Sequence, residues 1–108
     1  MRVYNMESPR SGRPVANQFI IVDDNKLVFQ SYDSMIVTWD KATSTLTFGK
    51  DWDYSTTTAK YRNEFLRMYF PSLADGKKLR ELARIANAMD DRQFDYQLGA
   101  FIYTIKFE

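Results

Sequence analysis

Near residue 50 the spacing of the apolar residues changes, and that change limits the folds open to the chain. Up to Gly49, apolar and polar residues alternate in short runs, the two-residue period of strands. From Ser55 to Met89 the apolar residues recur every three or four positions, the period of helices packed on a surface. The terminal "FIYTIKF" alternates again. A strand block, a helix block and a last strand predict an α+β domain.

The first block divides at its turn residues. "QFIIVDDNKLVFQSY" reads as a hairpin, Gln18–Asp23 and Lys26–Ser31, closed by "DDNK". "SMIVTWD" is a third strand and "TLTFGK" a fourth, with "KATS" between them and Gly49 as the stop. Short strands on short turns predict an antiparallel meander of about four strands. Alternation sets Phe19 and Ile21 on one face, expected to be buried.

Two amphipathic helices follow. The first begins at Ser55, whose hydroxyl or that of a following threonine can cap it. It turns Tyr61, Phe65, Met68 and Tyr69 to one side and ends before Pro71. The second begins near Asp75 and carries a stripe of Leu79, Leu82, Ala83, Ile85, Ala86 and Met89. Both stripes need a surface, so the helices are expected on the sheet, with the C-terminal strand rejoining it. Residues 1–16, with "SPRSGRP", are expected to form an extended N-terminal arm before a single domain at 17–108.

Composition removes whole classes of chemistry. The 108 residues include no Cys and no His. Disulfides, thiolate zinc sites and imidazole-based triads are therefore excluded. Net charge is +1, so no global field selects nucleic acid or a membrane. No apolar run is long enough to span a bilayer, and "MRVYNMESPRSGRP" has no apolar core of a secretory signal. The expected location is cytoplasmic.

Charge is unevenly placed. Between Ser55 and Arg84 seven cations face three anions. Lys77, Arg80 and Arg84 form one stripe of the second helix, opposite Leu79 and Leu82. Such a face suits a nucleic acid or an acidic partner, and equally an ordinary solvated helix surface. Asp23–Asp24, Asp90–Asp91 and the pair Asp51 and Asp53 offer oxygen ligands, but none lies in a known metal-loop pattern, and aspartates also serve turns. Arg62 is anomalous, since the wheel puts it at the edge of an apolar face. It can snorkel, pair with Asp53, or meet an anion at the helix start together with Thr57 and Thr58.

Three segments, "SGRPVANQF", "FQSYDSMIV" and "WDYSTTTAKYRNEFL", are similar to a family of small proteins carried by phages and related mobile elements. The likeness covers about residues 8–66. It implies a phage-type origin and a shared fold, with no established activity. It marks Asn17, Gln18, Gln30, Ser31, Tyr32 and Ser34, then Trp52, Tyr54, Ser55, Thr57, Thr58 and Lys60 to Asn63. These amides and hydroxyls suit either a buried network or a binding site.

The resulting expectation is a non-enzymatic accessory protein that binds a macromolecule, for instance to inhibit a host protein. The candidate contact residues are Thr57, Thr58, Lys60, Arg62, Asn63, Lys77, Arg80 and Arg84. Neither cofactor nor metal nor catalytic residue is assigned, and the partner is an unidentified protein or nucleic acid. Nucleic-acid binding by the basic helix is the alternative, and a metal-dependent hydrolase on Asp51 and Asp53 the weakest reading. Exposed sheet edges leave the oligomeric state open.

Overall fold

A computed structural model describes residues 1–108. Five consecutive strands form an antiparallel meander: β1 (Arg2–Glu7), β2 (Pro14–Val22), β3 (Lys26–Ser31), β4 (Ser34–Asp40) and β5 (Thr45–Phe48). Two helices follow, α1 (Thr56–Tyr69) and α2 (Gly76–Asn87), joined by a 3-10 turn at Pro71–Leu73. A terminal hairpin, β6 (Gln93–Leu98) and β7 (Phe101–Phe107), completes the chain. All seven strands join one sheet in the order β1-β2-β3-β4-β5-β7-β6. β7 pairs with β5 in parallel, because the two helices carry the chain back across the sheet before the hairpin begins.

The α+β class agrees with the sequence, but the count of about four strands was too low. The segment 1–16 is not an arm. It supplies β1 and the start of β2, joined by a loop in which Gly12 adopts φ +69°. Proline and arginine composition hid this pairing, since β1 (RVYNME) buries only Met6. β6 was missed although Gln93, Asp95 and Gln97 alternate with Phe94, Tyr96 and Leu98 as in a strand; none of its residues is buried.

Helix ends follow their capping chemistry. The Ser55 side chain accepts a 3.1 Å bond from the Thr58 N–H at the start of α1. Asp75 does the same for Lys77 at the start of α2, at 2.9 Å. The core lies between the helices and one sheet face. Phe29, Val37, Leu46, Phe48, Ile105 and Phe107 meet Phe65, Leu66, Leu79 and Leu82 there. The opposite face carries Thr45 and Thr47, and also the half-buried Phe19 and Ile21. The expectation that Phe19 and Ile21 are core is corrected: Gln18 and Ile20 are the inward pair of β2. On α1, Met68 is likewise exposed, and the buried stripe is Thr58, Tyr61, Arg62, Phe65 and Leu66.

Gly49 has a steric task. A Cβ there would stand 2.1 Å from the Met35 carbonyl oxygen, so only glycine lets β5 end this close to β4. No helix is long and apolar enough to cross a membrane.

Candidate functional site

The anomalous Arg62 is buried, with about 1% of its surface exposed. Its guanidinium lies 5.2 Å from the centroid of the Trp52 ring. Nη1 donates to the Trp52 carbonyl at 2.9 Å and to Asp53 Oδ1 at 3.0 Å. Nε and Nη2 both donate to Asn63 Oδ1, at 3.2 and 3.1 Å. Four of its five N–H groups are thereby satisfied, which is what permits a cation at this depth. Burial pulls the guanidinium below its ordinary value, with the Asp53 bond and charge opposing. Arg80 of α2 approaches the same carboxylate, 3.9 Å from Asp53 Oδ2. Arg62 thus ties the β5–α1 loop to α1, and Arg80 brings the start of α2 to the same point.

The open site is next to this clasp. A cleft of about 350 Å³ lies between the β3–β4 turn, the β5–α1 loop and the first turn of α1. Ser31, Tyr32, Asp33, Ser34, Ile36, Asp51, Tyr54 and Thr58 line it. Its floor is a chain of hydroxyls: Ser55 Oγ donates to Thr58 Oγ1 at 3.1 Å, and Thr58 Oγ1 is 3.1 Å from Ser31 Oγ. Either hydroxyl of the Ser31–Thr58 pair can donate to the other, since Thr58 Oγ1 keeps a second lone pair after accepting from Ser55. Gln18, opposite Ser31 in the strand register, is 1% exposed, and neither polar atom of its amide makes a hydrogen bond. Asp51 Oδ2 accepts from Ser34 Oγ at 3.0 Å, which fixes one carboxylate at the rim.

Two tyrosines stand at this cleft with their rings in solvent. Tyr54 is 80% exposed and Tyr32 is 56% exposed. Tyr32 has φ +53°, a left-handed conformation that favours glycine. Its N–H donates to the Asn17 carbonyl at 2.7 Å, and its carbonyl accepts from Gln30 Nε2 at 2.7 Å. An unfavourable backbone is therefore clamped on both sides, and the residue it displays is aromatic.

The residues singled out from sequence separate into groups. Thr58, Arg62 and Asn63 are internally bonded, while Thr57 and Lys60 are exposed on α1. Lys60 Nζ lies 5.3 Å from the centroid of the Tyr61 ring. Arg62 and Arg80 converge on Asp53. Lys77 and Arg84 are exposed, and Arg84 is paired within its own helix to Glu81. That pairing holds the Glu81 carboxyl below its usual range and the Arg84 guanidinium above. Tyr32 and Tyr54, marked by the family likeness, did not enter the contact set, because aromatic residues are read first as core. The non-glycine residue in the two-residue β3–β4 turn was the available signal.

Asp51 and Asp53 do not form a shared ligand set. Asp53 faces Arg62 and Asp51 faces Ser34, and nowhere do three carboxylates gather. A larger concavity of about 470 Å³ at the other end of α1 is lined by Val22, Leu27, Trp39, Tyr69 and Phe70, with Asp23, Lys26 and Lys41 at its rim. It is an apolar seam between sheet and helix and gathers no hydroxyl network.

No curated protein and no solved structure matches the chain. Residues 1–83, from β1 through most of α2, match one family model, and the chain belongs to that family of unknown function, DUF8033.

Proposed function

We propose that this chain is a small non-enzymatic accessory protein, of phage type by its three sequence blocks, that binds another protein through the cleft beside α1. The observation that carries this reading is Tyr32, held at φ +53° by two 2.7 Å hydrogen bonds and 56% exposed as a residue. A non-glycine left-handed residue costs on the order of 1 kcal/mol. Nothing inside the fold gains from the exposed ring. Tyrosine is enriched at protein interfaces because it offers a large, rigid, amphipathic contact at little entropic cost. Tyr54 on the same cleft repeats the pattern.

The lining narrows the partner. Asp33 and Asp51 are its only charged groups, with no cation among them. The group received is therefore a hydrogen-bond donor or a cation, and a phosphate would be repelled. The expected result is capture of a specific protein from the lysate of the source cell by the wild-type chain, lost in Tyr32→Ala/Tyr54→Ala with unchanged circular dichroism. Failure to capture a specific protein, or retention by the double variant, would refute the reading.

A second reading, nucleic-acid binding, is favoured by the exposed Lys77 and Arg80 on α2. Against it, Arg84 is committed to Glu81 and Arg62 to Asp53. Gel shifts test it directly, and absence of binding even at low salt ends it.

A further inference from the structure

The cleft beside α1 has a net charge of one sign. Asp33 and Asp51 are the charged residues of its lining, and neither forms a salt bridge within the chain. Asp33 is exposed, and Asp51 accepts from the Ser34 hydroxyl through Oδ2 alone, at 3.0 Å. The adjoining hollow shares both carboxylates and adds one cation, Lys50, and one further acid, Glu108. Those two cancel, so the excess of two carboxylates stands. The first turn of α1 opposes it with about half a positive charge, less than either carboxylate. A cation is therefore the group this cleft attracts.

The rest of the lining selects among cations. Tyr32 and Tyr54 offer exposed aromatic surface, and a tyrosine face attracts an organic cation. The hydroxyls of Ser31, Ser34 and Thr58 accept as well as donate. Gln18 stands opposite Ser31 in the strand register and so shares its face of the sheet. Its amide is 1% exposed with neither polar atom partnered, so the wall holds buried hydrogen-bonding capacity that is unspent. A volume of about 350 Å³ is at the small end of ligand sites, about 300–1,000 Å³, and suits one side chain. A guanidinium meets all of these conditions. Its plane stacks on aromatic faces, its fork of donors fits carboxylates, and it is less strongly hydrated than an ammonium. The same loop already uses this combination internally, where Arg62 lies 5.2 Å from the Trp52 ring and bonds Asp53. Asp51 and Tyr54 flank that pair in sequence and present a second carboxylate and ring outward, at the cleft.

We propose that the cleft takes an arginine side chain of the partner protein, its guanidinium against the Tyr32 and Tyr54 rings and on the Asp33 and Asp51 carboxylates; this rests on the reading of the cleft as a protein-binding site. NMR titration of the isotope-labelled full chain with the blocked tripeptide glycyl-arginyl-glycine tests it. The lysine and citrulline counterparts and inorganic phosphate are titrated alongside. Saturable amide shifts are expected with the arginine peptide, confined to the β3–β4 turn, the β5–α1 loop and the first turn of α1. The lysine peptide is expected to bind more weakly, and citrulline, which lacks the charge, and phosphate not to saturate. Asp33→Asn/Asp51→Asn, checked for folding by circular dichroism, is expected to weaken the arginine peptide by about tenfold or more. If that variant unfolds, Asp33→Asn alone carries the test, since Asp33 is exposed and outside every salt bridge. Absence of saturable shifts with the arginine peptide overturns the proposal. So does citrulline, lysine or phosphate binding as tightly, or an unchanged affinity in the charge-neutralised variant. Arginine binding without capture of any protein from a lysate leaves the arginine site standing and refutes the protein-binding reading. Capture that survives Asp33→Asn/Asp51→Asn does the reverse.

Discussion

Removing the counter-charge of Arg62 tests the central packing claim. Asp53→Ala leaves a guanidinium about 1% exposed with no anion, keeping only the Asn63 and Trp52 carbonyl bonds. Breaking a buried pair from one side costs about 3–5 kcal/mol. The low end applies because the Asp53 side chain is itself 34% exposed and water can enter its place. We therefore expect a loss of about 3 kcal/mol, or about 12 °C or more in Tm for a domain of this size. Asp53→Asn keeps an acceptor oxygen and removes only the charge, so about half that loss is expected. The sign test is the double variant Asp53→Asn/Arg62→Met, whose unbranched side chain can still lie on Trp52. Removing both charges is expected to cost less than Asp53→Ala alone, because an unpaired buried charge is worse than none. Urea unfolding followed by tryptophan fluorescence and circular dichroism measures all three. An Asp53→Ala variant within about 0.5 kcal/mol of wild type, or a double variant less stable than it, would refute the reasoning.

Other perturbations address the junctions around the site. Gly49→Ala is expected to destabilise by about 3 kcal/mol or more, because its Cβ meets the Met35 carbonyl at 2.1 Å; thermal unfolding checks this. Ser55→Ala removes both the α1 cap and one end of the hydroxyl chain, with an expected cost of about 1–2 kcal/mol and loss of amide protection at Thr58 in hydrogen exchange. The Tyr103 hydroxyl is buried without a hydrogen bond, and burial, aided by Tyr96, pushes its pKa up to about 12. The unfolded phenol ionises near 10, so between pH 10 and 12 the folded state holds the extra proton and stability falls as pH rises. Below pH 10 this contribution is intact, and its full loss is at most about 2–3 kcal/mol. Tyr103→Phe is expected to equal or exceed wild type at neutral pH and to lose less stability than wild type between pH 10 and 12, read as the difference between two urea-unfolding series.

Much of the architecture follows from periodicity alone. The alternation of Thr45–Phe48 and the stripe of Leu79, Leu82 and Ala86 are both present in the structure as buried faces. Where periodicity failed, the residues were atypical for their position. Gln18 occupies an inward strand position, and treating it as outward set Phe19 and Ile21 in the core. β1 and β6 escaped because edge strands bury little: only Met6 is buried in one, and no residue is buried in the other. The cleft itself assembles residues from 31 to 58 across three elements, and that convergence depends on the sheet register and on the end of α1. What the sequence did contain was a tyrosine at a turn position where glycine is the conformationally easy residue.

The run "DWDYS" interleaves the residues of the buried clasp with those of the candidate cleft. Asp51 and Asp53 are two positions apart, yet one turns to Ser34 at the cleft and the other to the buried Arg62. Tyr54, the next residue, points into solvent while Trp52 packs on Phe48 and Phe107. The clasp explains this division. Placing Arg62 within the buried stripe of α1, rather than at its edge, demands a carboxylate at one fixed point of the preceding loop. Once Asp53 is drawn inward and Trp52 packed beneath it, the loop has little freedom left, and Tyr54 and Asp51 are held toward the cleft. The buried ion pair therefore fixes the loop that lines the cleft. On this argument, Asp53→Asn should weaken partner capture even under conditions where the variant remains folded, because the loop that presents Tyr54 has lost its anchor.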